Sequence, residues 1–233
     1  MVLYLSLTMI ILLVVNSMGR TKLSKERTVE VQKENIGKII IFCEGMTEKN
    51  YMDYFADIIN KNKYTDIHIE TESSNGNARN VLNFADSFLF EEANNRTYTH
   101  YNKCLIFDCD DPPNIQDVIN DMISSDKEYS LIVSNFLFEI WLLMHFENVD
   151  KKLSKRQIYE RLNSYLNKEY KKADTGIIRE IIQIGSVEEA IKNGYELDEK
   201  YRLDKKLIIN DIKEMNPYTN VHKLIEQFML EIS

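Results

Sequence analysis

The chain has 233 residues, 44% of them hydrophobic and 28% charged, which is enough for a core of ordinary globular size. Seven glycines and three prolines are too few for a collagenous or low-complexity chain, and they argue against a turn-rich all-β fold. The formal net charge of −8 excludes a general nucleic-acid coat protein, although a local basic surface or carboxylate-held metal ions could still contact nucleic acid.

Residues 1–15 are almost entirely apolar, and a polar, basic stretch begins at Met18. The apolar run is shorter than the roughly 20 residues that span a bilayer, and it lacks the basic region that opens a signal peptide. We therefore interpret Met18 as the true start and residues 1–17 as an over-extended reading frame. The alternative is a short membrane anchor whose cytoplasmic side carries Arg20, Lys22 and Lys25.

Residues 18–35 are predicted to be a mobile basic arm, which completes an N-terminal segment over residues 1–35. After it, short apolar runs alternate with helical periods. Buried strands are predicted where the runs are apolar and β-branched, at residues 38–43, 67–70, 103–107 and 129–133. Helices are predicted between and after them, at residues 48–60, 78–92, 115–125 and 136–146.

Four strand–helix units in about 110 residues predict an α/β core over residues 36–150, with a mostly parallel four-stranded sheet flanked by helices. Residues 151–233 have a helical pattern throughout, and we expect them to form a helical extension that packs on this core. Its helices are predicted at residues 154–168, 176–183, 186–204 and 219–231.

Acidic and polar side chains follow the predicted strands at the points where they end. Glu44 follows the first strand, and Ser134 and Asn135 follow the fourth, where we expect them to cap the next helix. Three carboxylates follow the third strand, namely Asp108, Asp110 and Asp111. Ligands of parallel sheets bind beyond the carboxyl ends of the strands, so these residues form the candidate site.

The spacing of Asp108 and Asp110 favours a divalent cation. Two carboxylates with one residue between them point to the same side of a strand, and Glu44 from a neighbouring strand would add a third carboxylate. Hard oxygen ligands suit Mg²⁺ or Mn²⁺, and such a triad can hold one or two ions against a phosphodiester. The alternative is a solvated turn before Pro112, but like charges concentrated at an apolar strand end need a cation or a cationic partner.

Two further titratable residues lie in the apolar stretch 136–146. Glu139 must be paired, be protonated or bind a metal if that helix is buried, and it is close enough to the helix start to reach the strand ends. Pairing with the helix amino terminus or with a buried lysine is the alternative. His145 is interpreted as a packed, hydrogen-bonded core histidine rather than a ligand.

The cysteines do not predict a disulfide or zinc framework. Their number is odd and no C-x-x-C pair occurs among Cys43, Cys104 and Cys109. We interpret all three as small buried hydrophobic residues in a reducing cytoplasm.

Residues 151–172 form a local basic stretch in an acidic chain. Its candidate phosphate contacts are Lys151, Lys152, Lys155, Arg156, Lys171 and Lys172. Tyrosines are interleaved and could stack on unpaired bases, at Tyr159, Tyr165 and Tyr170. The alternative is a solvated amphipathic helix whose buried stripe is Ile158, Leu162, Tyr165 and Leu166. Arg79, near a predicted helix start, could add an anion contact.

Four segments resemble the motifs of RloB-like proteins. Residues 44–51, EGMTEKNY, resemble the opening motif of that family, and residues 107–111, FDCDD, resemble the second. Residues 134–146, SNFLFEIWLLMHF, resemble the third and most specific motif, although Phe-Leu stands where a small residue or proline and a cysteine are expected. Residues 216–224 resemble the last motif, so the resemblance covers roughly residues 36–230.

The resemblance implies a Toprim-like core, as in topoisomerases, primases and the overcoming-lysogenization-defect nucleases. In that superfamily a glutamate after the first strand and a D-x-D after the third organise Mg²⁺ for phosphodiester chemistry. Glu44 would then be the general acid/base or a metal ligand, and Asp108 and Asp110 would be metal ligands. The accessory candidates are Glu48, Asp111, Glu139 and His145.

The resemblance also implies a role in abortive phage infection or restriction, often beside an ATPase gene. We therefore expect a Mg²⁺-dependent nuclease acting on DNA or RNA with a partner ATPase. The alternative is a non-catalytic Toprim-like module that binds the ATPase and senses infection. A phosphoacceptor domain is a third possibility, but no persuasive lysine and threonine arrangement supports it. The sequence has no G-x-x-x-x-G-K-[ST] motif, so any dependence on ATP should come from the partner.

Deletion of residues 1–17 is expected to leave folding intact, because the composition changes abruptly at Met18 and no complete targeting signal precedes it. Thermal melting of the truncated and full-length proteins checks this. Loss of the melting transition on truncation, or membrane fractionation of the full-length protein through this segment, would contradict it.

Overall fold

A computed structural model of the protein describes residues 36–62, 66–109, 114–201, 212 and 214–233. The predictions for residues 1–35 fall outside the described residues. So do those for Asp110 and Asp111.

Five strands form one sheet in the order β2-β1-β3-β4-β5. Their bounds are Lys38–Cys43 for β1, His68–Ser73 for β2, Asn102–Asp108 for β3, Ser130–Asn135 for β4 and Tyr218–Thr219 for β5. The first four strands are parallel to one another, and β5 runs antiparallel to β4. The predicted α/β class is confirmed, but the sheet has a fifth strand that the sequence does not predict. Strand β5 has only two residues, which are too few to give a periodic signal.

Helices flank this sheet, and loops and turns connect the elements. The bounds of the helices are Met46–Lys61 for α1, Ala78–Phe90 for α2, Glu92–Tyr98 for α3, Ile115–Ser124 for α4, Glu139–Leu143 for α5, Lys155–Leu166 for α6, Thr175–Ile184 for α7, Val187–Lys200 for α8 and Val221–Ile232 for α9. Residues 39–43 of β1 are all buried, as expected for a strand covered on both faces. None of the helices in the described residues is both long and apolar enough to cross a bilayer.

The helix predicted over residues 136–146 is shorter than expected. Ser134 and Asn135 do not cap it, because both belong to β4 and bond to the last part of the chain instead. The Ser134 hydroxyl lies 3.1 Å from the Thr219 hydroxyl, and Asn135 Nδ2 donates to the Ile212 carbonyl at 2.6 Å. The helix α5 therefore begins only at Glu139, whose carboxylate remains in the first turn.

The helix predicted over residues 78–92 also differs, because an extended residue, Glu91, divides it into α2 and α3. The remaining helices lie close to their predicted bounds. In the C-terminal half, α6 contacts α5, α7 and α9 both contact α1, and α9 also contacts β4. These helices pack on the core, and the expectation that residues 151–233 are helical throughout is wrong at β5, which pairs with β4.

The three cysteines are buried thiols, as predicted. Burial raises the pKa of Cys104 to about 12, and burial together with the charge of nearby Glu48 raises the pKa of Cys43 well above its usual range. Both thiols are therefore protonated at neutral pH and behave as small apolar groups.

His145 is a core histidine, as predicted. Its Nε2 lies 3.0 Å from the Tyr51 hydroxyl and its Nδ1 lies 3.0 Å from the Trp141 carbonyl oxygen. Burial lowers the pKa of His145 to about 4, because the charged imidazolium would lose its hydration. The ring is neutral at neutral pH and joins α5 to α1.

Acid should destabilise the protein in part through His145. The folded state keeps the ring neutral, whereas the unfolded chain takes up a proton below a pH of about 6.5, so stability falls as the pH drops from there towards 4. Between pH 7 and pH 4.5 the wild type should lose roughly 2 kcal/mol more than the His145→Phe variant does. Urea unfolding at both pH values measures this, with exposed His100→Phe as the control. An equal loss in wild type and His145→Phe would contradict the assignment.

Candidate active site

Four carboxylates gather at the carboxyl edge of the sheet, and the fold explains why. Glu44 follows β1, Asp108 ends β3, and β1 and β3 are adjacent parallel strands. The Asp108 backbone N–H donates to Glu44 Oε2 at 3.0 Å, which joins the two strand ends directly. Glu48 comes from the first turn of α1 and Glu139 from the first turn of α5. We call these four residues the carboxylate cluster.

Gly45 makes room for one member of the carboxylate cluster. A Cβ atom at this position would lie 3.0 Å from Glu48 Oε2, closer than most side chains tolerate. The Glu48 side chain therefore folds back over the glycine that precedes α1. This close approach gives a physical reason for the Glu-Gly pair at the end of β1.

Three of the four carboxylates are almost completely buried. The exposed fractions are 2% for Glu48, 4% for Asp108 and 0% for Glu139, whereas Glu44 is partly exposed. Within the described part of the chain, one oxygen of each buried carboxylate has no hydrogen-bond partner: Glu48 Oε2, Asp108 Oδ1 and Glu139 Oε2. Buried, unsatisfied carboxylate oxygens are unfavourable, so this edge of the sheet favours a proton or a cation.

The electrostatics agree with this geometry. Burial raises the pKa of Asp108 well above its usual range, and the negative charges of Glu48, Glu44 and Glu139 raise it further. Burial also raises the pKa of Glu48, and hydrogen bonds from backbone N–H groups and the charge of Lys172 oppose this only in part. In the absence of a divalent cation, Asp108 and Glu48 therefore retain protons more readily than exposed carboxyl groups do.

The second oxygen of Glu139 receives three partners from the helical extension. The hydroxyls of Tyr159 and Tyr170 donate to Glu139 Oε1 at 3.3 Å and 3.2 Å. Lys172 Nζ lies 3.8 Å from the same oxygen. Glu139 is thus paired with a lysine, but this lysine is half-exposed rather than the buried one that the alternative interpretation named. The other oxygen of Glu139 remains unpartnered among the described residues.

Residues 170–173, which we call the strap, are attached to α1. The Ala173 N–H donates to Thr47 Oγ1 at 3.0 Å, and Asn50 Nδ2 donates to the Ala173 carbonyl at 2.9 Å. Thr47 and Asn50 are buried polar residues one and four positions into the helix. Both belong to the EGMTEKNY segment, so this segment positions the strap as well as Glu44 and Glu48.

Residues 39–228 match the family model described as RloB-like protein. The chain belongs to the RloB-like family. No curated protein and no solved structure matches the chain. The family assignment therefore stands on the sequence match, and the Toprim likeness remains an expectation.

The proposed metal ligands of this RloB-like chain are only partly placed. Glu44 Oε2 accepts a hydrogen bond from the Asp108 backbone N–H, whereas Asp110 and Asp111 lie outside the described residues. Across the described ranges, no three His, Cys, Asp or Glu side chains are grouped closely enough to hold a metal ion in this conformation. The donor set suits a hard cation, since oxygens of Glu48, Asp108 and Glu139 are buried and unpartnered there. His145 bonds to Tyr51 and Trp141 instead of joining the cluster.

The basic stretch of the RloB-like chain divides into exposed and ion-paired residues. Lys151, Lys152 and Lys171 are exposed, and Lys155 Nζ lies 5.6 Å from the centre of the Tyr159 ring. The remaining cations have carboxylate partners: Arg156 pairs with Glu160, Arg161 with Glu147, Lys168 with Glu180 and Lys172 with Glu139. Arg79 pairs with Asp121 at 2.6 Å, so an anion at this position would have to compete with a carboxylate.

The three tyrosines of this stretch do not form a stacking surface. Tyr170 is buried, and Tyr165 stacks on Phe146 with ring centres 4.7 Å apart and donates to Glu147. The prediction of base stacking is therefore wrong for Tyr170, because its ring and hydroxyl are used inside the protein. Ile158, Leu162 and Leu166 are buried as the amphipathic-helix interpretation expects, but Tyr165 is partly exposed.

Sequence reasoning misses Thr47 and Asn50 as site residues, and it gives Tyr159 and Tyr170 a different role, in base stacking. Thr47 and Asn50 could have been noticed, because they are polar residues close to the apolar stripe of a predicted helix. Nothing in the local sequence signals that Tyr159 and Tyr170 bind Glu139, since they follow it by 20 and 31 residues.

Removing the charge of Asp108 should stabilise the metal-free protein at neutral pH. Because the folded state raises the pKa of Asp108, the wild type loses stability as the pH rises from about 4 through that pKa, and asparagine cannot ionise. In EDTA at pH 7.5, Asp108→Asn should be more stable by on the order of 1–2 kcal/mol, with no gain at pH 4. Urea unfolding measures this, with exposed Asp126→Asn as the control. A destabilised Asp108→Asn at pH 7.5 would show that the carboxylate is structurally required.

Proposed function

We propose that this RloB-like chain is a metal-dependent nuclease that hydrolyses phosphodiester bonds of DNA or RNA in phage defence, in the cytoplasm and with a partner ATPase. The observation that carries the proposal is the carboxylate cluster, in which three buried oxygens are unpartnered among the described residues. A structural role would favour pairing these groups, since unpaired buried charge destabilises the fold.

The residues that would hold Mg²⁺ or Mn²⁺ are Asp108 and Glu44, with Asp110 from the same D-x-D segment and with Glu48 and Glu139 as accessory groups. The bound ion would polarise the phosphoryl group and lower the pKa of a water molecule. The chain contributes two carboxylates, Glu44 and Asp108, that the ends of the adjacent strands β1 and β3 hold next to each other. The hydroxyls of Tyr159 and Tyr170 donate to Glu139 Oε1 and so fix the orientation of this carboxylate relative to the other three.

Glu44 is the best candidate for the proton-transfer role. It is partly exposed, whereas the other three members of the cluster are buried, so it is the carboxylate that a substrate and solvent can reach. Its Oε2 accepts the Asp108 backbone N–H, which holds the side chain in place. A positioned carboxylate of this kind can accept a proton from a nucleophile and later return one to a leaving group.

The arrangement also supports the Toprim likeness. A glutamate at the end of β1 and an aspartate at the end of the adjacent parallel strand β3 occupy the positions that the resemblance implied. Exposed Lys151, Lys152, Lys155 and Lys171 are the remaining candidates for contact with substrate phosphates, because their charges are turned to solvent.

A second candidate function is a non-catalytic module that binds the ATPase and senses infection. It is favoured by one observation, namely that no three potential ligands of the described residues are grouped closely enough for a metal ion. On this alternative, Lys172 and protons would be the permanent counter-charges of the carboxylate cluster.

Activity should depend on single charges of the cluster. Glu44→Gln and Asp108→Asn should each reduce Mn²⁺-dependent cleavage of RNA or DNA by roughly 10²–10⁴-fold, because one removes a proton-transfer group and the other a hard ligand. Asp110→Asn should behave like Asp108→Asn. Cleavage is measured on labelled strands with the protein alone and with its neighbouring ATPase, and Asp126→Asn is the control.

Phage protection separates the two candidate functions. A nuclease requires that protection is lost together with cleavage in the Asp108→Asn variant and in the Asp110→Asn variant. Protection that survives loss of both aspartates would overturn the nuclease and favour the ATPase-binding module.

A further inference from the structure

Lys172 is the cation that acts on the whole carboxylate cluster. Its ammonium lies 3.8 Å from Glu139 Oε1, and its positive charge also acts on Glu48 and Asp108. The ion pair is loose, because Glu139 Oε1 is shared with two tyrosine hydroxyls. Lys172 therefore neutralises part of the charge without satisfying the unpartnered oxygens of the cluster.

The strap determines where this ammonium lies. Both main-chain groups of Ala173 are bonded to α1, and Tyr170 bonds to Glu139 on the other side of Lys172. Ala173 has a φ of 64°, a left-handed conformation that is unfavourable for alanine. The bonds from Thr47 and Asn50 thus maintain a backbone shape that would otherwise relax, and this shape directs Lys172 to the cluster.

An ammonium and a divalent cation would compete for the negative charge of the same carboxylate cluster. Two positive charges a few ångströms apart repel each other strongly in a site with little water. The Lys172 side chain is 45% exposed, so it has a route to solvent that the buried carboxylates lack. A divalent ion could therefore enter if the lysine moved outwards.

We propose that Lys172 is a resident counter-ion of the carboxylate cluster, which a divalent cation must displace, and that the strap links metal binding to release of residues 170–173 from α1. This proposal rests on the proposed function, because it requires the metal to bind at these carboxylates. Metal binding and strap release would then be a single event, and the metal-free site would be closed by the protein's own lysine.

The first test is calorimetric titration of Mn²⁺ into the full chain. Lys172→Met should bind Mn²⁺ about tenfold more tightly than wild type, because the repelling charge is gone. Lys171→Met removes the same charge one residue away at an exposed position, and it should bind within about twofold of wild type. Unchanged or weaker binding by Lys172→Met, relative to Lys171→Met, would overturn the proposal.

The second test leaves Lys172 and all carboxylates in place. Thr47→Val removes the hydroxyl that accepts the Ala173 N–H, whereas Thr47→Ser keeps it. Thr47→Val should bind Mn²⁺ about threefold more tightly than Thr47→Ser, because Lys172 leaves the carboxylate cluster more easily when the strap is less firmly bonded to α1. Equal affinity of these two variants would overturn the role of the strap even if Lys172→Met does not fold.

Limited trypsin digestion gives a readout that does not depend on activity. Bound ligands usually protect a protein, but here Mn²⁺ should increase cleavage after Lys171 and Lys172 in the wild type, because it releases the strap. Protection of these two peptide bonds by Mn²⁺ would overturn the proposal. Asp108→Asn separates the two levels of inference: unchanged Mn²⁺ affinity in this variant would overturn the proposed function, whereas lost affinity together with an unaltered Lys172→Met would overturn the counter-ion alone.

Discussion

The concentration of negative charge at the ends of β1 and β3 is the constraint on which the rest of the structure depends. The apolar strands β1 and β3 place Glu44 and Asp108 next to each other at one edge of the sheet. The first turns of α1 and α5 add Glu48 and Glu139. Four carboxylates in so little solvent would repel one another unless protons or cations compensate them. The hydroxyls of Tyr159 and Tyr170 and the ammonium of Lys172 provide part of that compensation.

This compensation explains why the core needs the helical extension. All three groups that approach Glu139 Oε1 come from α6 or from the strap that follows it. A second set of polar contacts attaches the end of the chain to β4, where Asn220 Oδ1 accepts the Val133 N–H at 2.7 Å and Asn220 Nδ2 donates to the Leu131 carbonyl at 3.0 Å. The extension therefore completes both the charges and the sheet edge of the core.

The sequence predicts those parts of the molecule that local patterns determine. The run 38–43 is apolar and β-branched, and β1 has these bounds; Glu44 and Asp108 could be assigned because strand ends are where a parallel sheet binds ligands. The prediction that Asn135 caps a helix is wrong because its amide bonds to Ile212, a residue 77 positions away, and no local pattern indicates such a contact. Lys172 is predicted to lie on a nucleic-acid surface because the residues around it are basic, and only the fold brings it close to Glu139.

On the proposed function, the position of Lys172 bears on how the nuclease could stay inactive before infection. A carboxylate cluster that is already partly neutralised has a lower affinity for divalent cations than the same cluster without the lysine, because each cation must first displace an internal charge. The inactive state of the proposed nuclease would then require no separate inhibitor. A partner that pulled the strap from Thr47 and Asn50 would remove the lysine and raise metal affinity without touching a carboxylate, so control and chemistry would involve different residues of one site.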